Sequence, residues 1–351
     1  MDKKITIAGR EISENSPAFI IAEMSANDMM DYDRAVKIID AAKWAGADAI
    51  KLQTYTPDTI TMDSDKEYFQ ITQGTIWDGT TLHKLYQTAY TPWEWQPELK
   101  KYAESIGLIC FSSPFDLTSI DFLEKMDVPA YKVASFEITD IPFIRKIARL
   151  NKPVIISTGI AYPEDIELAL KTCAQEGNNQ VILLKCTSAY PSPYEDINLK
   201  VISDMAARFN CITGISDHTM GTVVSVGAVA LGAKVVEKHL TLRRADGGPD
   251  GAFSMEPEEF KQMVDEIRIL EKAVGKVTYE LTEKQIKSRE HSRSLFVVKD
   301  MKAGEIITEE NVRSIRPGFG MHTKYYDEVL GKKIDRDVER GTPLQWDLIG
   351  D

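Results

Sequence analysis

PVIISTGIAYPEDIELALKTCAQEGNNQVILLKCTSAY, residues 153–190, reads as one complete strand–helix–strand unit. PVIISTG (153–159) and VILLKCTSAY (181–190) are almost continuously apolar and rich in β-branched residues until their last positions. Strands buried on both faces of a parallel sheet have that composition. Between them PEDIELALKTCAQEG is amphipathic at helical spacing and stops at Gly177, a residue favoured just past a helix end.

The same rhythm extends in both directions. FIIAEMS (19–25), AIKLQTY (49–55), LICFSSPF (108–115), AYKVASFE (130–137), ITGISDH (212–218) and KVVEKHLTL (234–242) are further strand candidates. Amphipathic stretches such as YDRAVKIIDAAKWAGA, PWEWQPELKKYAESIG and NLKVISDMAARFN lie between them. Eight such units in about 250 residues predict an α/β fold, the (β/α)8 or TIM barrel. A doubly wound open sheet is the rival, but there is no GxGxxG after the first strand and no P-loop.

One connection is too long for this pattern. From Thr56 to about Tyr90 it contains EYFQITQGTIWDGTTLHKLY, too aromatic for disorder, so it is expected to be an ordered insertion over the barrel mouth. After residue 275 the rhythm changes. The expected division is a barrel over 1–275, a charged linker over 276–290 and a small domain of short strands over 291–351.

The chain of 351 residues carries 42 Lys and Arg against 54 Asp and Glu, a net charge of −12. That argues against a nucleic-acid partner or a basic membrane-surface protein. The opening MDKKITIAGREI lacks the apolar run of a signal peptide, and no run approaches the roughly 18 apolar residues of a membrane helix. Cys110, Cys173, Cys186 and Cys211 show no CxxC spacing and read as reduced residues of a cytoplasmic protein.

Barrels of this kind place their chemistry at the C-terminal ends of the strands, and there the polar residues gather. Lys51 and Lys132 interrupt apolar strands, and lysine is seldom buried without a partner. With Ser113, Ser135, Ser157 and Ser216 at neighbouring strand ends, they describe a site for a small polyanion such as a phosphate plus a carboxylate. The ordinary alternative is that each lysine pairs with a structural carboxylate inside the barrel. A Schiff-base lysine is the chemical alternative. Glu23, alone among apolar neighbours, is either a general base or hydroxyl-binding group, or a buried partner for a lysine. Asp250, in GGPDGAF, reads as a surface turn on a flexible loop, raised in interest only by its nearness to His239.

Of five histidines, His218 and His239 end two successive strands, each with a carboxylate beside it, Asp217 and Glu237. Two imidazoles at one barrel mouth would leave open the coordination positions a catalytic divalent ion needs. The alternative is a pair of core histidines satisfied by hydrogen bonds.

Taken together, IIAEMSAN, GADAIKLQTYTPD, CFSSPFD, AYKVASFE, ISTGIA, LLKCTSAYP, GISDHT, GAKVVEKHLTL and RSLFVVKDMKAGE…RSIRPGFGMH resemble the sialic acid synthase family over essentially the whole chain. Its members condense phosphoenolpyruvate with an amino-sugar aldehyde. The last segment resembles that family's antifreeze-like, or SAF, domain. EMSAN, SSPF, ASFE and the WDGTTLHKLYQTAYTPWEW insertion place the resemblance nearest its pseudaminic acid branch, with neuraminate and legionaminate branches as alternatives. A non-catalytic carbohydrate-binding protein is the alternative of another class.

The resemblance implies roles for individual residues. His218 and His239 would hold a divalent ion, Mn²⁺ first, with Mg²⁺ or Co²⁺ as alternatives. Lys51, Ser113, Lys132, Ser135, Ser157, Ser188 and Ser216 would hold phosphoenolpyruvate. Glu23, Gln53, Tyr190 and Asp250 would hold the sugar, and Glu137 would lie near the carbon attacked by water. Arg316 would reach the barrel of a partner subunit, which implies a domain-swapped homodimer. Asp28 stands where many relatives have histidine and would add negative charge near the mouth.

Overall fold

In the computed structural model, which describes residues 1–350, the chain divides into two compact units, Met1–Gly275 and the residues from Lys276 onward. The first begins with an antiparallel hairpin, β1 (Lys4–Ile7) and β2 (Arg10–Ser13). Ala8 and Gly9 turn it with φ of 47° and 82°, the left-handed pair that a two-residue hairpin favours. No sequence signal longer than ITIAGREIS announces this hairpin.

Eight parallel strands follow: β3 (Phe19–Glu23), β4 (Ala49–Thr54), β5 (Ile109–Pro114), β6 (Tyr131–Val133), β7 (Val154–Ser157), β8 (Val181–Cys186), β9 (Ile212–Asp217) and β10 (Val235–His239). Each pairs with the next, and β10 closes onto β3 with His239 opposite Glu23. The expected barrel is therefore present, with all eight strands in the order read from the sequence. AYKVASFE contributes a strand of only three residues, because Ser135–Glu137 coils into a 3₁₀ turn.

Strand parity decides what faces the site. On β3 and β10, Ile20, Ala22 and Val236 pack among helix residues such as Ile38, Ala42 and Phe260. Their alternates Glu23, Glu237 and His239 are thereby turned into the barrel. The same reasoning turns Lys51 and Gln53 inward from β4 and Ser216 from β9. It turns Asp217 and Lys238 outward.

The hairpin sits under the opposite, N-terminal end. Asp2 N donates to Asn179 O (2.9 Å) and Lys234 Nζ to Ser16 O (3.2 Å). Arg10 Nε lies 3.3 Å from Asp48 Oδ1. Its Ile5, Ile7 and Ile12 are buried.

The long connection after β4 is ordered. It carries the short helix Pro57–Ile60, a bridge between Gln70 and Thr81, and the helix Leu82–Ala89. No helix among the described residues is long and apolar enough to cross a membrane. The second unit has its own small core of Leu295, Val297, Met301, Ile307, Val312 and Leu344. Its strands are β11 (Ser294–Val297), β12 (Val312–Ile315), β13 (Lys333–Ile334) and β14 (Ile349–Gly350), paired β11 with β12 and β13 with β14.

Candidate active site

At the C-terminal end of the barrel, Lys51 Nζ lies 2.6 Å from Glu23 Oε2, 3.7 Å from Glu237 Oε1 and 3.1 Å from Ser113 Oγ. Lys132 Nζ lies 3.6 Å from the same Glu237 oxygen, which also accepts from Ser216 Oγ at 3.2 Å. The two lysines and two carboxylates thus form one alternating buried array. The ordinary alternative for the lysines, pairing with carboxylates, describes their contacts. It does not complete the site. Glu237 Oε2, Glu137 Oε2, Ser157 Oγ, Ser188 Oγ and His239 Nδ1 are buried without a hydrogen-bond partner. Buried polar atoms are ordinarily satisfied, so this concentration marks where a polar ligand belongs.

Electrostatics within the array follow from burial and neighbours. Burial lifts Glu23 to about 7 against the pull of Lys51, and lifts Glu137 to about 7 as well. Glu237 is equally buried, yet Lys132 and Lys51 hold it below the usual carboxylate range. Burial presses on Lys51 too, but Glu23 and Glu237 keep it above its ordinary value. Burial prevails at Lys132, which is lowered.

The serines line a narrow cradle. Ser135 Oγ accepts from Gly159 N at 3.1 Å. A methyl group on Gly159 would stand 2.2 Å from Ser188 Oγ and 2.7 Å from Ser135 Oγ. Only glycine leaves this space open, and the sequence reading did not single Gly159 out. Nor did it single out Cys186, and it named Glu237 only as the carboxylate beside His239. Cys186 Sγ lies 3.9 Å from His218 Nδ1, and His218 draws the thiol down to about 7 although burial opposes it. All four cysteines are free and buried.

The imidazoles of His218 and His239 lie with centroids 5.3 Å apart. His218 Nδ1 lies 3.1 Å from Thr187 O, which orients the ring and leaves Nε2 available. Burial opposes a charge on His218, but Cys186 outweighs it and the ring is held above its ordinary value. Burial keeps His239 well below it, hence neutral, with Nδ1 unpartnered. This donor pair fits a divalent ion. Among the described residues no group of three or more His, Cys, Asp or Glu side chains gathers to hold one. Of the two companion carboxylates, Asp217 does not approach the ring. It faces outward, pairs with Lys238 at 2.7 Å, accepts from Ser225 Oγ at 2.7 Å, and accepts from Thr219 N at 2.9 Å.

Beside His239, across the β10–β3 seam, Gln53 Nε2 donates to Glu23 Oε1 (3.0 Å) and to Ser25 Oγ (2.9 Å). Ser25 Oγ in turn donates to Asp250. Asp250 is therefore not on a free surface turn. Its carboxylate is held by Ser25 and Ala26 N, its carbonyl accepts from Ser254 Oγ, and burial raises its pKa. Asp28 also departs from expectation. It is 1% exposed, accepts from Thr91 Oγ1 at 2.6 Å and from Met30 N at 3.1 Å, and burial lifts it to about 6. It joins the first loop to the end of the insertion instead of placing a charge in the open mouth.

Tyr190 packs 4.4 Å from His218, and Phe253 5.0 Å from His239. Trp77 of the insertion lies 5.4 Å from Tyr190 and 6.5 Å from Phe253. Arg316 belongs to the second unit, where it is exposed and lines an open groove with Gln285, Ser288, Arg289 and His291.

The chain matches the NeuB family over residues 38–279 and the SAF domain over 292–350. It is 50% identical to the pseudaminic acid synthase of Campylobacter jejuni over 93% of this chain and 95% of that protein. Identity to the pseudaminic acid synthase of Helicobacter pylori is 43%, over 95% and 98%. The crystal structure of the Bacillus subtilis spore coat polysaccharide biosynthesis protein spsE superposes with a TM-score of 0.68 at 33% identity, covering 99% of each chain.

Proposed function

We infer the activity of this chain from the family to which it belongs, the NeuB family, and from the array of side chains at its barrel mouth. The reaction is condensation of phosphoenolpyruvate with 2,4-diacetamido-2,4,6-trideoxy-L-altrose, giving pseudaminic acid and phosphate. The relatives of highest identity reported above carry that activity in their names. The observation that carries the reading is the inward ring of Lys51, Lys132 and unpartnered serines beside two imidazoles.

In this reading Lys51, Lys132, Ser113, Ser135, Ser157, Ser188 and Ser216 bind and orient phosphoenolpyruvate. Fixed charges and dipoles then need no rearrangement during the reaction. Glu23, Gln53, Tyr190 and Asp250 hold the open-chain sugar with its aldehyde toward the imidazoles. C3 of phosphoenolpyruvate forms the new bond to the aldehyde carbon, and a water oxygen adds to C2. Phosphate departs as its C2–O bond breaks. Glu137, lifted to about 7 by burial, is suited to accept the proton of that water at its unpartnered Oε2. Glu23, also near 7, can take up a proton when the incoming anion competes for Lys51. A divalent ion on His218 and His239, Mn²⁺ first and Mg²⁺ or Co²⁺ as alternatives, would supply Lewis-acid polarisation of the aldehyde oxygen.

The reading also includes a cytoplasmic homodimer in which Arg316 of one subunit serves the barrel of the other. Its support is the exposure of that guanidinium and the family's SAF domain. The test is phosphate release from phosphoenolpyruvate with three sugars: the trideoxy-L-altrose, N-acetylmannosamine and the legionaminate precursor. Each is run with and without added metal. Release with the first sugar alone, dependent on metal, is expected. Preference for either other sugar would move the chain to that branch. Full activity in EDTA with borohydride trapping would replace the reading with an imine aldolase.

A further inference from the structure

We propose that Trp77, on the long connection after β4, sets which sugar the site accepts by presenting its indole face to the C6 methyl of a 6-deoxy sugar. The proposal rests on the functional reading above, which fixes the aldehyde end of the sugar at His218 and His239.

From those imidazoles an aromatic wall runs outward. Phe253 packs on His239 and Tyr190 on His218, and Trp77 lies beyond both, at 6.5 Å from Phe253 and 5.4 Å from Tyr190. An open-chain sugar held by its first carbon at the imidazoles extends its last carbon toward the outer part of this wall. Toward β3 and β4 the neighbours Gln53, Ser25 and Asp250 are polar and suit hydroxyl and amide groups. The wall at Trp77 offers no such partner. Its only polar atom, Nε1, already donates to Pro249 O at 2.9 Å. That bond fixes the indole to the loop carrying Asp250 and occupies its one side-chain donor. A methyl group gains apolar contact there, whereas a hydroxyl group loses water and finds neither donor nor acceptor on the indole. Apolar surfaces discriminate weakly against an added hydroxyl, by up to roughly a hundredfold.

The experiment compares kcat/KM for the 6-deoxy sugar and its 6-hydroxy counterpart in the full-length enzyme, alongside Trp77→Ala and Trp77→Phe. Wild type should prefer the 6-deoxy sugar. Trp77→Ala should lower that preference about tenfold through the KM for the 6-deoxy sugar, with the KM for phosphoenolpyruvate unchanged. Trp77→Phe keeps an apolar face and should retain most of it, and it carries the test alone if the alanine variant does not fold. An unchanged preference in Trp77→Ala, or collapse of the preference in a folded Trp77→Phe, overturns the role of Trp77. So does a matching rise in the KM for phosphoenolpyruvate. Absence of turnover by wild type with the 6-deoxy sugar would instead overturn the functional reading itself.

Discussion

The two ends of the barrel are made by the same eight strands and treat their polar groups in opposite ways. At the N-terminal end Asp48 accepts from the backbone of Ile20 and pairs with Arg10 and Arg268, while Lys234 caps the Ser16 carbonyl. Three isoleucines of the hairpin close off the remainder. At the C-terminal end Ser157, Ser188, Glu137, Glu237 and His239 each keep a buried atom without a partner. An unsatisfied buried group costs about 1–3 kcal/mol. A chain that satisfies one end and leaves the other incomplete separates stability from chemistry along a single axis.

That separation can be broken experimentally. The largest effect is expected at His239→Ala, which should lower turnover about a thousandfold or more. In the proposed function that imidazole helps hold a Lewis acid, whose polarisation of an aldehyde is worth several kcal/mol. Circular dichroism and the urea midpoint should stay close to wild type. Turnover near wild type would remove the mouth from the chemistry. At the opposite end, Ile5→Ala should cost about 2–5 kcal/mol in urea unfolding with kcat/KM per folded molecule unchanged. A parallel loss of kcat/KM would show that the two ends are not separable.

Gly159→Ala sharpens the contrast from within the mouth. The methyl group enters the space between Ser135 and Ser188 and should raise the KM for phosphoenolpyruvate about tenfold, the low end of an overpacking cost. Isothermal titration with phosphoenolpyruvate alone measures the same loss, and unaltered affinity would place the anion elsewhere.

The smallest effect concerns Asp28, whose carboxyl is lifted from 3.8 to about 6. Between those values the folded state keeps a proton that the unfolded state has released. Asp28 therefore contributes stability that is complete below about pH 4 and is lost as pH rises through about 6. Arg34 and Asp250 are the charged neighbours. Asp28→Asn should flatten the stability profile between pH 4 and 6, and a profile as steep as wild type would contradict this assignment.

The barrel was legible because parallel strands buried on both faces cannot alternate polar and apolar residues, so each appears as an apolar run. The lysines and histidines were visible as interruptions of such runs. Glu237 was read only as a companion of His239, not as the carboxylate that both lysines approach. Two-residue parity with Val235 was the available signal for its inward direction. Cys186 was read as core, which it is, but its inward register carries it to His218. The hairpin was missed because its strands are four residues long. Trp77 against Pro249 and Asp28 against Thr91 join positions far apart in the chain, and no local pattern encodes such contacts.

Closure of β10 onto β3 sets His239 beside Glu23, residues from opposite ends of the first unit. During synthesis β3 emerges early and has only β4 to pair with until β10 has left the ribosome. Its other edge stays unpaired for most of that time, a state prone to wrong association. The array of Glu23, Lys51, Lys132 and Glu237 also cannot assemble until the last strand arrives. A nascent chain would therefore gain this array in one late step, together with protection of its first strand. Ligand binding by stalled nascent chains of increasing length would report barrel closure directly.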